Sequence, residues 1–207
     1  MRETADLWVF EREAREQGYT AVCGVDEGPL MGPVYAAAVI LPEDYDLPEL
    51  NDSKKLTEKK REMLFPLIKE RAIAWSVAWV EASEIDATDI LSARMKAMQM
   101  AIDGLSVTSD MALIDGNRDK GHSAAISTAH RCIVGGDGKS ASIAAASVLA
   151  KVSRDHYVTE VLDKAYPQYQ FAKHKGYGTK LHYEMLDKYG PCPEHRRSFL
   201  KKWEAKR

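Results

Sequence analysis

Tyr19-Thr20-Ala21-Val22-Cys23-Gly24-Val25-Asp26 is an apolar run that ends in an acid, and Val34-Tyr35-Ala36-Ala37-Ala38-Val39-Ile40-Leu41 is a second apolar run. Between them lies Gly28-Pro29-Leu30-Met31-Gly32-Pro33, a connection too short and too rich in Gly and Pro for a helix. Two runs joined in this way predict a β-hairpin. Working outward, Ile73, Trp75, Val77 and Trp79 alternate with smaller residues, the period-two pattern of a third strand with one bulky face. Met111-Ala112-Leu113-Ile114 predicts a short buried strand closing on Asp115-Gly116-Asn117, and Arg131 to Val134 another.

The intervening segments have helical character. Thr57 is a suitable N-cap for a charged helix that Pro66 should kink or end. From Ser83 to Leu105, the residues Ile90, Leu91, Met95, Met98, Ala101 and Ile102 recur at helical spacing, and the methionines read as core filling rather than a cofactor box. A long helix is expected from about Ser140 to Ala165, with a first half of small side chains that can lie very close to a sheet. A hairpin followed by alternating helices and strands predicts an α/β fold, a mixed sheet with helices on its faces.

The chain has 207 residues, 45% hydrophobic and 29% charged, which excludes a disordered chain and is enough for a substantial core. Its formal net charge of −2 hides a strong polarity. Residues 173–207 carry ten Lys or Arg against four acids, a net +6, leaving −8 for residues 1–172. That shift near Lys173 divides an expected core, 1–172, from a basic C-terminal extension, 173–207. No run of eighteen apolar residues exists, and Met1–Asp6 carries acids without an apolar segment, so a cytosolic protein with no membrane partner is expected. Cys23, Cys132 and Cys192 are odd in number and far apart, which fits reduced thiols.

Four acids occupy places where acids are unusual. Asp26 and Glu27 close the first strand, Asp115 closes another, and Asp155 lies in the long helix. Carboxylates at strand ends suit Mg²⁺ or Mn²⁺, though acids there are also ordinary turn residues. Successive strand residues face opposite ways, so Asp26 and Glu27 share a site only if the strand ends or twists there. Gly135-Gly136-Asp137-Gly138-Lys139-Ser140 looks like a phosphate loop, but Ile133 occupies the place where a Walker motif needs glycine, and an ordinary glycine turn reads equally well. Lys173-His174-Lys175-Gly176-Tyr177-Gly178-Thr179 offers cations for phosphates and an aromatic ring between glycines for a sugar or base, although a charge run is usually a solvated face. The six histidines show no metal-ligand spacing.

Taken together, Gly24-Val25-Asp26-Glu27, Gly28 to Val34, Leu50-Asn51-Asp52-Ser53-Lys54-Lys55-Leu56, Leu113 to Asn117, Ser140 to Asp155, Gly176-Tyr177-Gly178-Thr179, and Tyr189-Gly190-Pro191 through His195-Arg196-Arg197-Ser198-Phe199 resemble bacterial ribonuclease HII. The match spans about residues 18 to 200 in the family's order. The resemblance implies a ribonuclease H-like fold with a helical C-terminal extension, working as a monomer on RNA–DNA hybrids or on DNA duplexes containing ribonucleotides. It implies that Asp26, Glu27, Asp115 and Asp155 hold two Mg²⁺ or Mn²⁺ ions for hydrolysis to 5′-phosphate and 3′-hydroxyl ends. Tyr177 would lie beside the ribose at the cut, and Asn51, Lys54 and Lys151 would hold the backbone. The family reads Asp-Glu-Ala-Gly-Arg-Gly-Pro after its first strand, whereas here Glu27 runs directly into Gly28-Pro29. Three residues, roughly 10 Å of chain, are absent from the part that recognises an RNA-to-DNA step, and only Gly28 has a counterpart. Impaired cutting at single ribonucleotides is therefore expected, and a weak or inactive hybrid binder is the alternative. A phosphohydrolase built on Gly138-Lys139-Ser140 is a rival of another class.

Overall fold

The computed structural model describes residues 6–28, 31–43, 50 and 56–205, with 27 and 28 described by backbone alone. In chain order the elements are α1 (Val9–Glu16), β1 (Val22–Gly28), β2 (Val34–Ile40), α2 (Glu58–Arg71), β3 (Ala74–Val80), α3 (Ala82–Ala87), α4 (Ile90–Asp103), β4 (Met111–Asp115), β5 (His130–Ile133), α5 (Ala141–Tyr157), α6 (Asp163–Ala165), α7 (Phe171–His174), α8 (Lys180–Tyr189) and α9 (Arg197–Glu204). The strands form one mixed sheet in the order β3-β2-β1-β4-β5. The two apolar runs pair antiparallel as expected, with Asp26 opposite Ala37, and β1 pairs parallel with β4, Val25 beside Ile114.

Alternation along these strands divides the core between the two faces of the sheet. Cys23, Val25, Ala36, Ala38, Ala112 and Ile114 pack on Met95, Met98, Ala101 and Ile102 of α4, so the methionines are core. On the opposite face Ala37 and Val39 meet Ala144, Ala145, Val148 and Leu149 of α5, with Leu64 and Ile68 of α2 closing the layer. The small side chains of α5 let it lie close, and Gly24 shows how close. A Cβ at that position would fall 2.1 Å from the backbone nitrogen of Ile143.

Three expectations change on contact with the structure. Pro66 does not end α2, which runs on to Arg71. Leu64 and Ile68, on either side of the exposed Pro66, are both fully buried, and this packing outweighs the missing backbone donor. The helical pattern from Ser83 to Leu105 is two helices, because the Asp89 side chain caps α4 by accepting from Ser92 N at 2.9 Å. The long helix begins at the Ser140 cap as expected, but α5 stops at Tyr157 and a π-helical turn, Val158–Leu162, separates it from α6. Alternation in β3 holds with the small residues inward: Ala74 and Ala78 are buried, while Trp75 and Trp79 lie on the exposed side.

Residues beyond Lys173 are fastened to the body. Met31, Val158, Leu162, Tyr169, Phe171 and Cys192 share one apolar cluster. Asp86 accepts from the backbone of Arg197 and Ser198, and the buried Arg196 donates to the Gly32 carbonyl. Among the described residues no helix is long and apolar enough to cross a membrane.

Candidate active site

The site forms where β1 and β4, parallel neighbours, end at the same edge of the sheet beneath α5. Gly24 brings α5 onto β1, and Asp26, two residues on along the same face, meets the helix at Lys151. Asp26 is buried, its Oδ2 3.3 Å from Lys151 Nζ, which also donates to Ser147 Oγ. Ser147, Lys151 and Asp155 recur every four residues and therefore share one stripe of α5. Asp115, the last residue of β4, accepts a hydrogen bond from Gly136 N at 2.6 Å. Burial, followed by the negative charges of Asp26 and Asp137, pushes the Asp115 carboxyl above its usual range. That mutual repulsion marks Asp26 and Asp115 as one electrostatic unit.

Asp155 completes the stripe in a different state. Its Oδ1 accepts from Arg154 Nη1 at 3.2 Å and its Oδ2 lies 3.4 Å from Lys175 Nζ, which also binds Glu58. Arg154 is almost fully buried, donates to the Met31 carbonyl, and places its guanidinium 5.2 Å from the centre of the Tyr177 ring. Tyr177 is half-exposed beside it. Among the described residues no group of three or more His, Cys, Asp or Glu converges tightly enough to hold a metal ion. Lysine ammonium groups hold Asp26 and Asp155 instead. The donor chemistry nevertheless suits a hard divalent cation: carboxylate oxygens, one of them carrying an unfavourable excess of negative charge.

The glycine turn before α5 is not arranged for phosphate. Buried Glu11, from α1, takes the helix N-terminus, accepting from Ser140 Oγ at 2.6 Å and from Ser142 N at 3.0 Å. Lys139 donates to its own loop, at the Val134 carbonyl. A carboxylate already fills the place an anionic ligand would take.

A family model described as Ribonuclease HII matches residues 23–203. A ribonuclease HII of Aliivibrio fischeri (strain MJ11) is 54% identical over 200 residues, 95% of this chain and 93% of that protein. The chain belongs to the ribonuclease HII family. Membership makes it a hydrolase of the ribonuclease H type. The ribonuclease H2 of Pyrococcus horikoshii OT3 superposes with a TM-score of 0.68 at 24% identity, covering 86% of this chain and 93% of that one. A ribonuclease HIII solved in complex with Mn²⁺ superposes with a TM-score of 0.58 at 17% identity, covering 90% and 76%. Both share the ribonuclease HII fold.

Of the sequence-expected site residues, the structure joins Asp26 to Lys151 and, through its charge, to Asp115, while Asp155 lies one turn beyond Lys151, near the end of α5, with Tyr177 over its neighbour Arg154. Asn51 and Lys54 lie outside the described residues, as does the side chain of Glu27. Strand pairing runs through Glu27, opposite Ala36, to Gly28, opposite Tyr35. Sequence reasoning missed Ser147, which its four-residue spacing from Lys151 and Asp155 signals. It also missed Arg154, whose burial no pattern signals, and Glu11, distant in the chain. Lys175, one of the cations that the sequence offers either for phosphates or for a solvated face, is bound to Glu58 and Asp155.

Proposed function

We propose that this ribonuclease HII cuts the RNA strand of RNA–DNA hybrids, and DNA duplexes at embedded ribonucleotides, with Asp26, Glu27, Asp115 and Asp155 holding two Mg²⁺ or Mn²⁺ ions. The observation that carries this reading is the pairing of Asp26 and Asp115 at one sheet edge, with Asp155 on the helix above and lysines as counter-charges. Bound divalent ions supply the Lewis acidity that activates water and stabilises the departing 3′ oxygen, leaving 5′-phosphate and 3′-hydroxyl ends. The Mn²⁺ complex of the related fold supports this choice of ion.

The chain's own groups do the positioning. Lys151 and Lys175 hold the carboxylates while no divalent ion is bound, and in this reading Lys151, once released from Asp26, contacts the substrate backbone, a role it shares with Asn51 and Lys54. Tyr177 lies beside the ribose, where a 2′-hydroxyl separates RNA from DNA. Gly28 is what this chain retains of the element that reads an RNA-to-DNA step, so activity at single ribonucleotides is impaired. The test compares a long hybrid with a duplex holding one ribonucleotide, in Mg²⁺ and in Mn²⁺. Cleavage of the hybrid that Asp26→Asn and Asp115→Asn abolish is the expected result. Binding without metal-dependent cleavage overturns the catalytic reading, and efficient cutting of the single-ribonucleotide duplex overturns the impairment.

A further inference from the structure

His174, His182 and His195 come together in a buried cluster although their spacing in the chain signals nothing. The His174 and His182 rings stack 4.5 Å apart, and His182 Nε2 lies 3.0 Å from His195 Nε2. Their hydrogen bonds fix where the protons are. The backbone N–H of Cys192 donates to His195 Nδ1 at 3.0 Å, so the His195 proton is on Nε2. That Nε2–H donates to His182 Nε2, leaving the His182 proton on Nδ1, which donates to the Tyr177 carbonyl at 3.0 Å. Gly176 N–H donates to His174 Nδ1 at 3.1 Å, so His174 Nε2–H donates to the Tyr169 carbonyl at 2.9 Å. All six ring nitrogens are used, with every ring neutral. The nitrogens face one another or the backbone instead of converging on a point, so the cluster is not a metal site.

The relay ends on the residue that faces the substrate. Tyr177 N–H donates to the His174 carbonyl at 2.8 Å, and the Tyr177 carbonyl accepts from both His182 and Thr179 N, the latter at 2.7 Å. Both backbone polar groups of Tyr177 are therefore committed to the cluster or its own turn, and only the ring, over Arg154, reaches outward. The turn is tightly specified. Lys175 and Gly176 both have positive φ, and a Cβ on Gly176 would lie 2.9 Å from Met31 Cβ.

We propose that His174, His182 and His195 are positioning residues for the ribonuclease reaction, setting the placement of the Tyr177 ring through the backbone of its turn. The inference rests on the reading that Tyr177 lies beside the ribose. Protonation of either ring in the His182–His195 pair would set two N–H groups head to head. The surroundings oppose it: Phe171, Tyr183 and the charge of Arg154 around His182, and Tyr169, Phe171, the Cys192 thiol and the charge of Arg197 around His195.

The experiment pairs His182→Asn, whose amide keeps a donor near the Nδ1 position, with His182→Gln, whose amide lies near Nε2 and loses it. His182→Gln is expected to lower kcat on a long hybrid about tenfold with KM nearly unchanged, and His182→Asn to stay within about threefold of the parent. In a Tyr177→Ala background His182→Gln should change the rate by less than about twofold. Fluorotyrosine at position 177 gives a second readout, a ¹⁹F resonance that His182→Gln shifts and His182→Asn leaves near the parent position. Equal rate losses in both backgrounds, or an unmoved resonance, overturn the proposal. A Tyr177→Ala rate equal to the parent overturns the ribose reading, and the ¹⁹F shift then decides the brace separately. If His182→Gln does not fold, His195→Leu, which removes the relay's far donor and leaves His182 in place, is measured in the same way with the same outcomes.

Discussion

Asp115 pays for its position in the resting protein, since burial and the charges of Asp26 and Asp137 all disfavour its ionised form. Asp115→Asn keeps an oxygen for Gly136 N while removing a repelling charge. It should abolish metal-dependent cleavage, by at least about 10³-fold, yet raise stability by up to about 1 kcal/mol, measured by hybrid cleavage and urea unfolding of the same preparation. Lys151 poses the opposite case. Removing the partner of buried Asp26 by Lys151→Met should destabilise the metal-free protein by about 1–2 kcal/mol, less than for a fully buried pair because the lysine side chain is 30% exposed. Added Mg²⁺ should recover most of that loss, and thermal unfolding with and without the ion reports it. Equal Mg²⁺ stabilisation of parent and variant would contradict the lysine's role as a stand-in cation. At this scale the sequence was informative about acids at strand ends and silent about their partners. Arg154 and Lys175 reach Asp155 through a buried side chain and a turn of positive φ, neither of which follows a period.

Helix α5 organises the site, and its docking depends on two contacts made at its first turn. Gly24→Ala would drive a methyl group into the backbone at Ser142 and Ile143, where no side chain can yield. A loss of more than about 3 kcal/mol is expected, enough to show as a drop of many degrees in Tm or as insoluble protein. Glu11→Ala leaves Ser140 Oγ and the Ser142 amide without their buried acceptor, a loss of about 1–3 kcal/mol, whereas Glu11→Gln keeps an oxygen acceptor and should cost less. Chemical denaturation of the two variants makes the comparison. Thr57 was legible as a cap because a Thr before a helical run carries its own meaning, whereas the caps at Asp89 and Ser140, just as local, went unread. The carboxylate that settles the glycine turn as structural comes from 129 residues earlier, beyond the reach of any local pattern. Pro66 fails to end α2 for a related reason: its rule is local, and the burial of Leu64 and Ile68 that carries the helix past it is not.

Across the whole molecule, burial together with the neighbouring rings pushes His182 and His195 down to about 4. Unfolded, both would titrate near the ordinary histidine value of about 6.5, so between these limits the unfolded chain binds more protons than the folded one. Stability is thus full above about pH 6.5 and falls as pH drops towards 4, by about 1.4 kcal/mol per pH unit for each ring. Denaturation midpoints at pH 7 and pH 5 measure this, and the difference should shrink in His195→Gln. Binding of a hybrid should weaken steeply with salt, and Lys201→Ala with Lys202→Ala, both exposed on α9, should reduce the salt slope by about 1–2. The layered α/β architecture was legible because strand and helix periods differ and the turns carry Gly and Pro. The three-histidine brace was not, since it forms only when α7, α8 and the segment before α9 fold back together. Sheet order carries one more implication, for the growing chain. β1, β2 and β3 are made in sequence and can join as a meander at once, but the other edge of β1 pairs with a strand synthesised roughly ninety residues later. Until β4 emerges, the backbone donors and acceptors of Val22–Val25 face outward from an apolar half-sheet. The nascent protein therefore passes through a stage with an open, adhesive flank where the carboxylate of Asp26 will later be enclosed, and that interval is when a second copy or a chaperone would most readily attach.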